Sequence, residues 1–201
     1  MKVRCVSKLI CLLTFVVTSS FCLSACSSEE TPSIQILAAG SSVFPESFDS
    51  EATEWISNYT DGEETSVEIR SMYLGEGEKD LYGGANVAKV SAMAAGKEID
   101  IMICDLDNAA RFARSEMFVP IKEVFTEEEL TGHEDQLLTF EKVDDEGNLN
   151  GEYTEACGVS IDGIELFDSI YKDSEYGIFL INNADPMETS KDIFKNIVNF
   201  Q

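Results

Sequence analysis

Residues 85–125 read ANVAKVSAMAAGKEIDIMICDLDNAARFARSEMFVPIKEVF, and the change of pattern within them decides the fold. Ala85, Ala88, Ala92 and Ala95 recur at helical spacing and share one face. Small side chains on that face predict close packing against a sheet. Gly96 follows, placed to end the helix in the left-handed cap that glycine adopts without steric cost. Ile99, Ile101, Met102, Ile103 and Cys104 then form a nearly continuous apolar run. Such a run suits a parallel strand covered on both faces. Asp107 or Asn108 is placed to cap a second helix, whose apolar surface is Ala109, Ala110, Phe112 and Ala113. The unit is helix, strand, helix, with a polar corner at the strand's carboxyl end.

The flanking chain repeats the alternation. Residues 33–39 read as a strand and Gly40-Ser41-Ser42 as a turn. Phe48, Ala52, Trp55, Ile56 and Tyr59 make an amphipathic helix that Asp61-Gly62 ends. Residues 66–73 are a half-exposed strand near an edge. Gly75, Gly77, Gly83 and Gly84 mark a loop-rich segment, with a turn of helix over 79–82. Thr126 and Glu129 have capping-box spacing, and Phe125 and Leu130 form its hydrophobic staple. A hairpin follows, from 137–143 through a turn at 144–148 to 149–161. Asp162 and Glu165 cap a short helix holding Ile164, Phe167 and Ile170. Residues 176–181 form another apolar strand. Asp185, Pro186 and Glu188 open a last helix with Ile193, Phe194, Ile197 and Val198 inward. The expected fold is α/β: a single three-layer domain with about five strands, mostly parallel, helices on both faces and an inserted hairpin.

Three pieces of the central unit carry a family resemblance: Ala95-Gly96, residues 100–104 and Val119-Pro120-Ile121. Their order resembles the extracytoplasmic solute-binding proteins of ATP-binding-cassette importers, of the type II periplasmic binding protein kind. In that family a hairpin ends in a Tyr-Gly-Val-like strand before the chain crosses to a second lobe, and Cys157-Gly158-Val159 resembles that point. A strand, then Asn182 to Asp185-Pro186, then a helix resembles the family's closing motif. The chain has residues for one lobe only. The resemblance implies a small-molecule solute, or an importer permease as partner, and no catalysis. An alternative is a surface interaction or scaffold module that kept the lobe and lost solute binding.

Lys2, Arg4 and Lys8 precede an apolar run over 9–21 and Leu23-Ser24-Ala25-Cys26. This is a secretory signal, too short to span a bilayer comfortably. Leu-Ser-Ala-Cys resembles the bacterial lipobox, which implies cleavage before Cys26, a diacylglycerol on its sulfur and palmitate-type acyl chains. An ordinary signal cleaved near Ala25 is the alternative. Residues 1–25 are then the signal peptide, 26–33 a tether and 34–201 the domain. The expected location is the extracytoplasmic face of the cell membrane, held by lipid.

The chain has 38 acidic and 14 basic residues and a net charge of −24. Three basic residues leave with the signal, so 11 face 38 acidic ones and the mature charge is about −27. That excludes nucleic acid, whose phosphates need basic surfaces. Of six cysteines, Cys5, Cys11 and Cys22 leave with the signal and Cys26 is lipidated. Cys104 and Cys157 either pair outside the membrane or remain buried thiols. No cysteine or histidine spacing suits a metal.

In open α/β sheets ligands lie beyond the carboxyl ends of the strands. The corners there supply the candidate ligand residues Gly40, Ser41, Ser42, Tyr73, Glu76, Asp105, Asp107 and Asp162. Gly40-Ser41-Ser42 opening a helix presents N–H groups and hydroxyls to an anion, and also suits plain N-capping. Asp105, Asp107 and Asn108, and the turn from Asp144 to Asn148, carry the oxygen ligands calcium takes. Caps and solvated turn residues explain both better. No metal or cofactor is expected. His133 is the sole histidine, read as an exposed surface residue, and nothing sets it beside a Ser or Cys nucleophile.

Overall fold

The computed structural model describes residues 33–60, 65–75, 81–161, 163–172 and 174–200, with the side chains of residues 81 and 82 excepted. The signal, Cys26, the tether up to residue 32, Asp61-Gly62, Glu76, Gly77 and Asp162 lie outside the described residues.

The fold is α/β. The strands are β1 (Ser33–Gly40), β2 (Ser66–Tyr73), β3 (Ile101–Asp105), β4 (Leu137–Leu138), β5 (Glu141–Val143), β6 (Leu149–Tyr153), β7 (Gly158–Ser160) and β8 (Tyr176–Leu180). The helices are α1 (Phe48–Ile56), α2 (Leu81–Ala95), α3 (Leu106–Ala113), α4 (Glu127–Leu130), α5 (Glu165–Tyr171) and α6 (Met187–Val198). Six strands form one sheet in the order β2-β1-β3-β8-β7-β4, and β5 and β6 form a separate two-stranded sheet.

The sheet is mixed. β1 pairs in parallel with β2 and β3. The β3–β8, β8–β7 and β7–β4 pairs are antiparallel. β1, β2, β3 and β7 therefore run one way, with β8 running counter between β3 and β7. This corrects the expectation of about five mostly parallel strands, and the connection before β8 explains it. α5 has seven residues, a rise of about 10 Å, and leaves the chain at the end of the sheet it started from. A strand entered there must run back, since a parallel entry needs a full crossover. The expected return strand 149–161 also divides. Its first part pairs in the hairpin, and β7 joins the main sheet.

Alternating residues face two cores. Ile34, Ile36 and Ala38 of β1, with Ile101 and Ile103 of β3, pack with Phe48 and Ile56 of α1, Phe167 of α5 and Phe194 of α6. Leu37, Ala39, Met102 and Cys104 pack on the other face with Val90 and Met93 of α2 and Phe112 of α3. β3 and β8 are buried along their whole length, and apart from Asp105 at the end of β3 their sequences lack charged residues.

Two local expectations need correcting. Ala85, Ala88, Ala92 and Ala95 are all exposed, and α2 instead buries Val90, Met93 and Ala94 on the opposite side. The larger side chains remove more apolar area from water, and this outweighs the fit of a smooth alanine stripe. The close approach falls at Gly83, where an added Cβ would lie 2.3 Å from the Leu74 carbonyl oxygen. The left-handed residue after α2 is Lys97, with φ 60°, and not Gly96. There the Glu98 N–H donates to the Met93 carbonyl at 2.8 Å, and the Lys97 ammonium meets Asp185 at 2.8 Å.

Candidate functional site

From β1 the chain moves to β2 through α1 on one face, then back past β1 to β3 through α2 on the other. The direction of travel reverses at β1, and the carboxyl ends of β1 and β3 flank the crevice so created. This is the topological position at which open α/β sheets hold ligands.

The crevice is filled by the chain itself. Asp105, 1 % exposed, is the last residue of β3 and the N-cap of α3. Its Oδ1 accepts the Asn108 N–H at 2.9 Å, and its Oδ2 accepts the Ser41 N–H at 2.8 Å. The Asn108 side-chain amide adds contacts at 3.2 Å to both oxygens, and the Ser41 hydroxyl one at 3.4 Å. The N–H that Ser41 was expected to offer an anion is thus given to an internal carboxylate. α1 begins only at Phe48, so Gly40-Ser41-Ser42 opens no helix and caps none. Gly40 leaves no spare room. A Cβ there would lie 2.6 Å from Asp105 Oδ2 and 2.8 Å from Tyr171 Cε1.

Tyr171, the last residue of α5, seals the crevice from the opposite side. Its hydroxyl reaches the Ala39 carbonyl at 2.9 Å and the Ile103 carbonyl at 3.2 Å, and so spans both parallel strands. Burial raises its pKa well above the usual phenol value and keeps this donor protonated. Its ring stacks on Tyr176 at 4.8 Å, and the Tyr176 hydroxyl meets Asp168 at 2.6 Å. After β7 the chain makes α5 and brings its last residue over the strand ends.

Of the expected ligand residues, the structure brings together Gly40, Ser41 and Asp105. Tyr73 is half-buried in register with Gly40, and its carbonyl accepts the Asn86 side-chain amide at 2.7 Å. Ser42 is half-buried in the following loop. Asp107, one of the two expected caps, is instead exposed on the first turn of α3, two residues past Asp105, which takes the cap. Glu76 and Asp162 lie outside the described residues. In the 144–148 turn, Asp144 accepts the N–H groups of Asn148 and Glu146, both at 2.9 Å. Those bonds, the Asn148 one first, lower its pKa. Among the described residues no group of three or more His, Cys, Asp and Glu side chains is arranged to hold a metal ion.

Cys104 and Cys157 are both free. β8 lies between β3, which holds Cys104, and β7, which Cys157 precedes, and two strand spacings put the two at least about 10 Å apart, beyond the roughly 4.4–6.8 Å Cα separation a disulfide needs. Burial raises the Cys104 thiol well above its ordinary pKa and brings Cys157 to about 11, so neither is a thiolate at neutral pH. His133 is half-buried rather than exposed, its ring stacked on Phe200 at 4.6 Å.

Open space lies at the other end of the sheet. A cleft of about 710 Å³ opens beside the start of β7 and the end of β8. The end of α3, the β5–β6 hairpin and the first turns of α6 wall it. Phe118, Val119 and Met187 supply apolar lining, Thr154, Cys157 and Asn182 polar atoms, and Arg114, Lys142 and Lys191 cationic groups. Sequence reasoning missed all of these. The available signal was the scarcity of basic residues in an acidic chain. No family model, curated protein or solved structure matches the chain.

Proposed function

We propose that this protein is a lipid-anchored, extracytoplasmic, solute-binding-like lipoprotein of one lobe, serving as an accessory or minimal binding component of an ATP-binding-cassette importer. It is non-enzymatic on this reading. Cys26 carries the lipid and holds the domain at the cell membrane. The finer fold belongs to the same reading: one lobe of the type II periplasmic kind, with a short helix where the second lobe would depart. In support, the sequence unit that carries the resemblance folds as β3 between two helices beside the β1–β3 switch point.

The cleft is the observation that carries solute binding. At about 710 Å³ it falls within the roughly 300–1,000 Å³ of small-molecule sites. The scaffold alternative also has support. The crevice is closed from within, and every residue of β6 is exposed, with Leu149 and Tyr153 each at 59 %.

Thermal melting of the full chain in detergent, against sugars, amino acids, peptides and oxyanions, separates the two readings. A solute at a hundred times its Kd adds about 2.7 kcal/mol, or roughly 5–11 °C. A flat response to every class overturns solute binding and leaves the scaffold reading. Cys26→Ala tests the anchor. The expected result is unprocessed precursor or protein released to the medium, and normal processing with membrane retention contradicts it.

A further inference from the structure

The cleft departs from the charge balance of the chain. Three of its 15 lining residues are basic, against 14 of 201 overall, while its acidic share of three in 15 matches 38 of 201. The carboxylates are ordinary for this protein and the cations are not.

The charges are also unequally spent. Glu155 is paired with Lys122 at 2.5 Å, and Lys191 with Glu188 at 3.2 Å. Arg114 donates its Nε–H to the Glu141 carbonyl at 2.9 Å, a neutral acceptor. Among the described residues, neither Arg114 nor Lys142 forms a salt bridge. The bond to Glu141 ties Arg114 to the neighbour of Lys142, so both cations stand at the hairpin wall. Glu116 and Glu123, also without a salt bridge, belong to the segments after α3 and after Pro120. The same cleft is lined by Phe118 and Val119, each 5 % exposed, and by the half-buried Met187.

We propose that this cleft binds a small molecule bearing a carboxylate on an apolar body. The carboxylate sits on Arg114 and Lys142, and the apolar part lies against Phe118, Val119 and Met187. A guanidinium fork matches a carboxylate in two parallel hydrogen bonds, and desolvation against the apolar wall strengthens them. The net charge of −24 repels such an anion from the chain at large, and Arg114 and Lys142 offset that field locally. The inference rests on the solute-binding reading and names its solute class and place.

Cys157 lines the same cleft and reports on occupancy. The full chain is alkylated with iodoacetamide at about pH 9, where enough thiolate forms, and the Cys157 peptide is followed by mass spectrometry. Phenylacetate is expected to slow that alkylation saturably, with phenylacetamide and benzylamine at least about tenfold weaker. Arg114→Gln with Lys142→Gln should abolish protection while the variant still unfolds in one cooperative transition, its melting temperature lowered only slightly by loss of the Glu141 bond and of two positive charges at exposed positions. Equal protection by phenylacetamide, or stronger protection by benzylamine, overturns the carboxylate class. No protection by phenylacetate overturns the site. If a sugar or another solute class still raises the melting temperature, the solute-binding reading stands and this inference alone fails.

Discussion

Asp105→Asn replaces a single oxygen with an NH2 group and distinguishes a carboxylate that holds the fold from one that waits for a ligand. In the folded chain each carboxylate oxygen accepts a different backbone N–H, Asn108 at 2.9 Å and Ser41 at 2.8 Å. An amide keeps one acceptor and replaces the other with a donor, so whichever way it turns, one N–H faces another N–H. Asp105 is 1 % exposed, so water does not repair the loss. A hydrogen bond to a charged group contributes about 1.5–3 kcal/mol, and the surviving bond is weakened by loss of the charge. The expected cost is about 2–3 kcal/mol, or roughly 4–12 °C in melting temperature for a chain of this length. Global electrostatics pushes the other way, because removing one of 38 acidic charges relieves repulsion. Thermal and urea unfolding of both full-length proteins measures the difference. An unchanged or raised melting temperature would refute the reasoning, and is the behaviour of a carboxylate kept for function at the expense of stability.

Gly158→Ala should destabilise by about 1–3 kcal/mol, read as a lower urea midpoint, because its Cβ would lie 2.2 Å from Phe179 Cε1. That ring stacks on Phe118 at 4.5 Å and lies 6.0 Å from Phe140, so it has nowhere to move; wild-type stability in the variant contradicts this packing. Two carboxyl groups should titrate in opposite directions by carbon-13 NMR. The Thr126 N–H, then Lys195 and the Thr126 hydroxyl, hold Glu129 down at about 2, so its contribution is present above about pH 4.5 and is lost as pH falls toward 2. Burial raises Asp100 above 3.8 despite N–H bonds from Gln35 and Asp185, so its proton is held more tightly in the folded state. Its contribution is complete below pH 3.8 and is lost as pH rises through the folded value. Ordinary midpoints for both would contradict the geometry around them.

The sequence was most legible where one local rule decided the outcome. Residues 101–104 could bury every side chain only inside a sheet covered on both faces, and β3 does so. Thr126 and Glu129 need only each other, and both halves of their capping box form. Legibility failed where two local rules competed. On α2 the alanine spacing was regular, but Val90 and Met93 on the opposite side had more area to bury. At the candidate site the residue types and the strand ends were readable. What was not readable was that Tyr171, over 60 residues from Ile103 in the chain, would take the space. The cleft was illegible for the same reason. Ala113, Cys157 and Met187 meet only because the hairpin and α6 fold against the same end of the sheet, and no spacing records that.

Hydrogen exchange resolved to single amides tests the central claim most directly, since closure of the crevice from within depends on the Ser41 N–H being held by Asp105. Ser41 precedes a loop that faces solvent, yet its amide should exchange as slowly as those of β3, through global unfolding alone. Asn108 should match it. Fast exchange at Ser41 with a protected β3 would mean that the crevice stands open, and would contradict its closure by Asp105 and Tyr171.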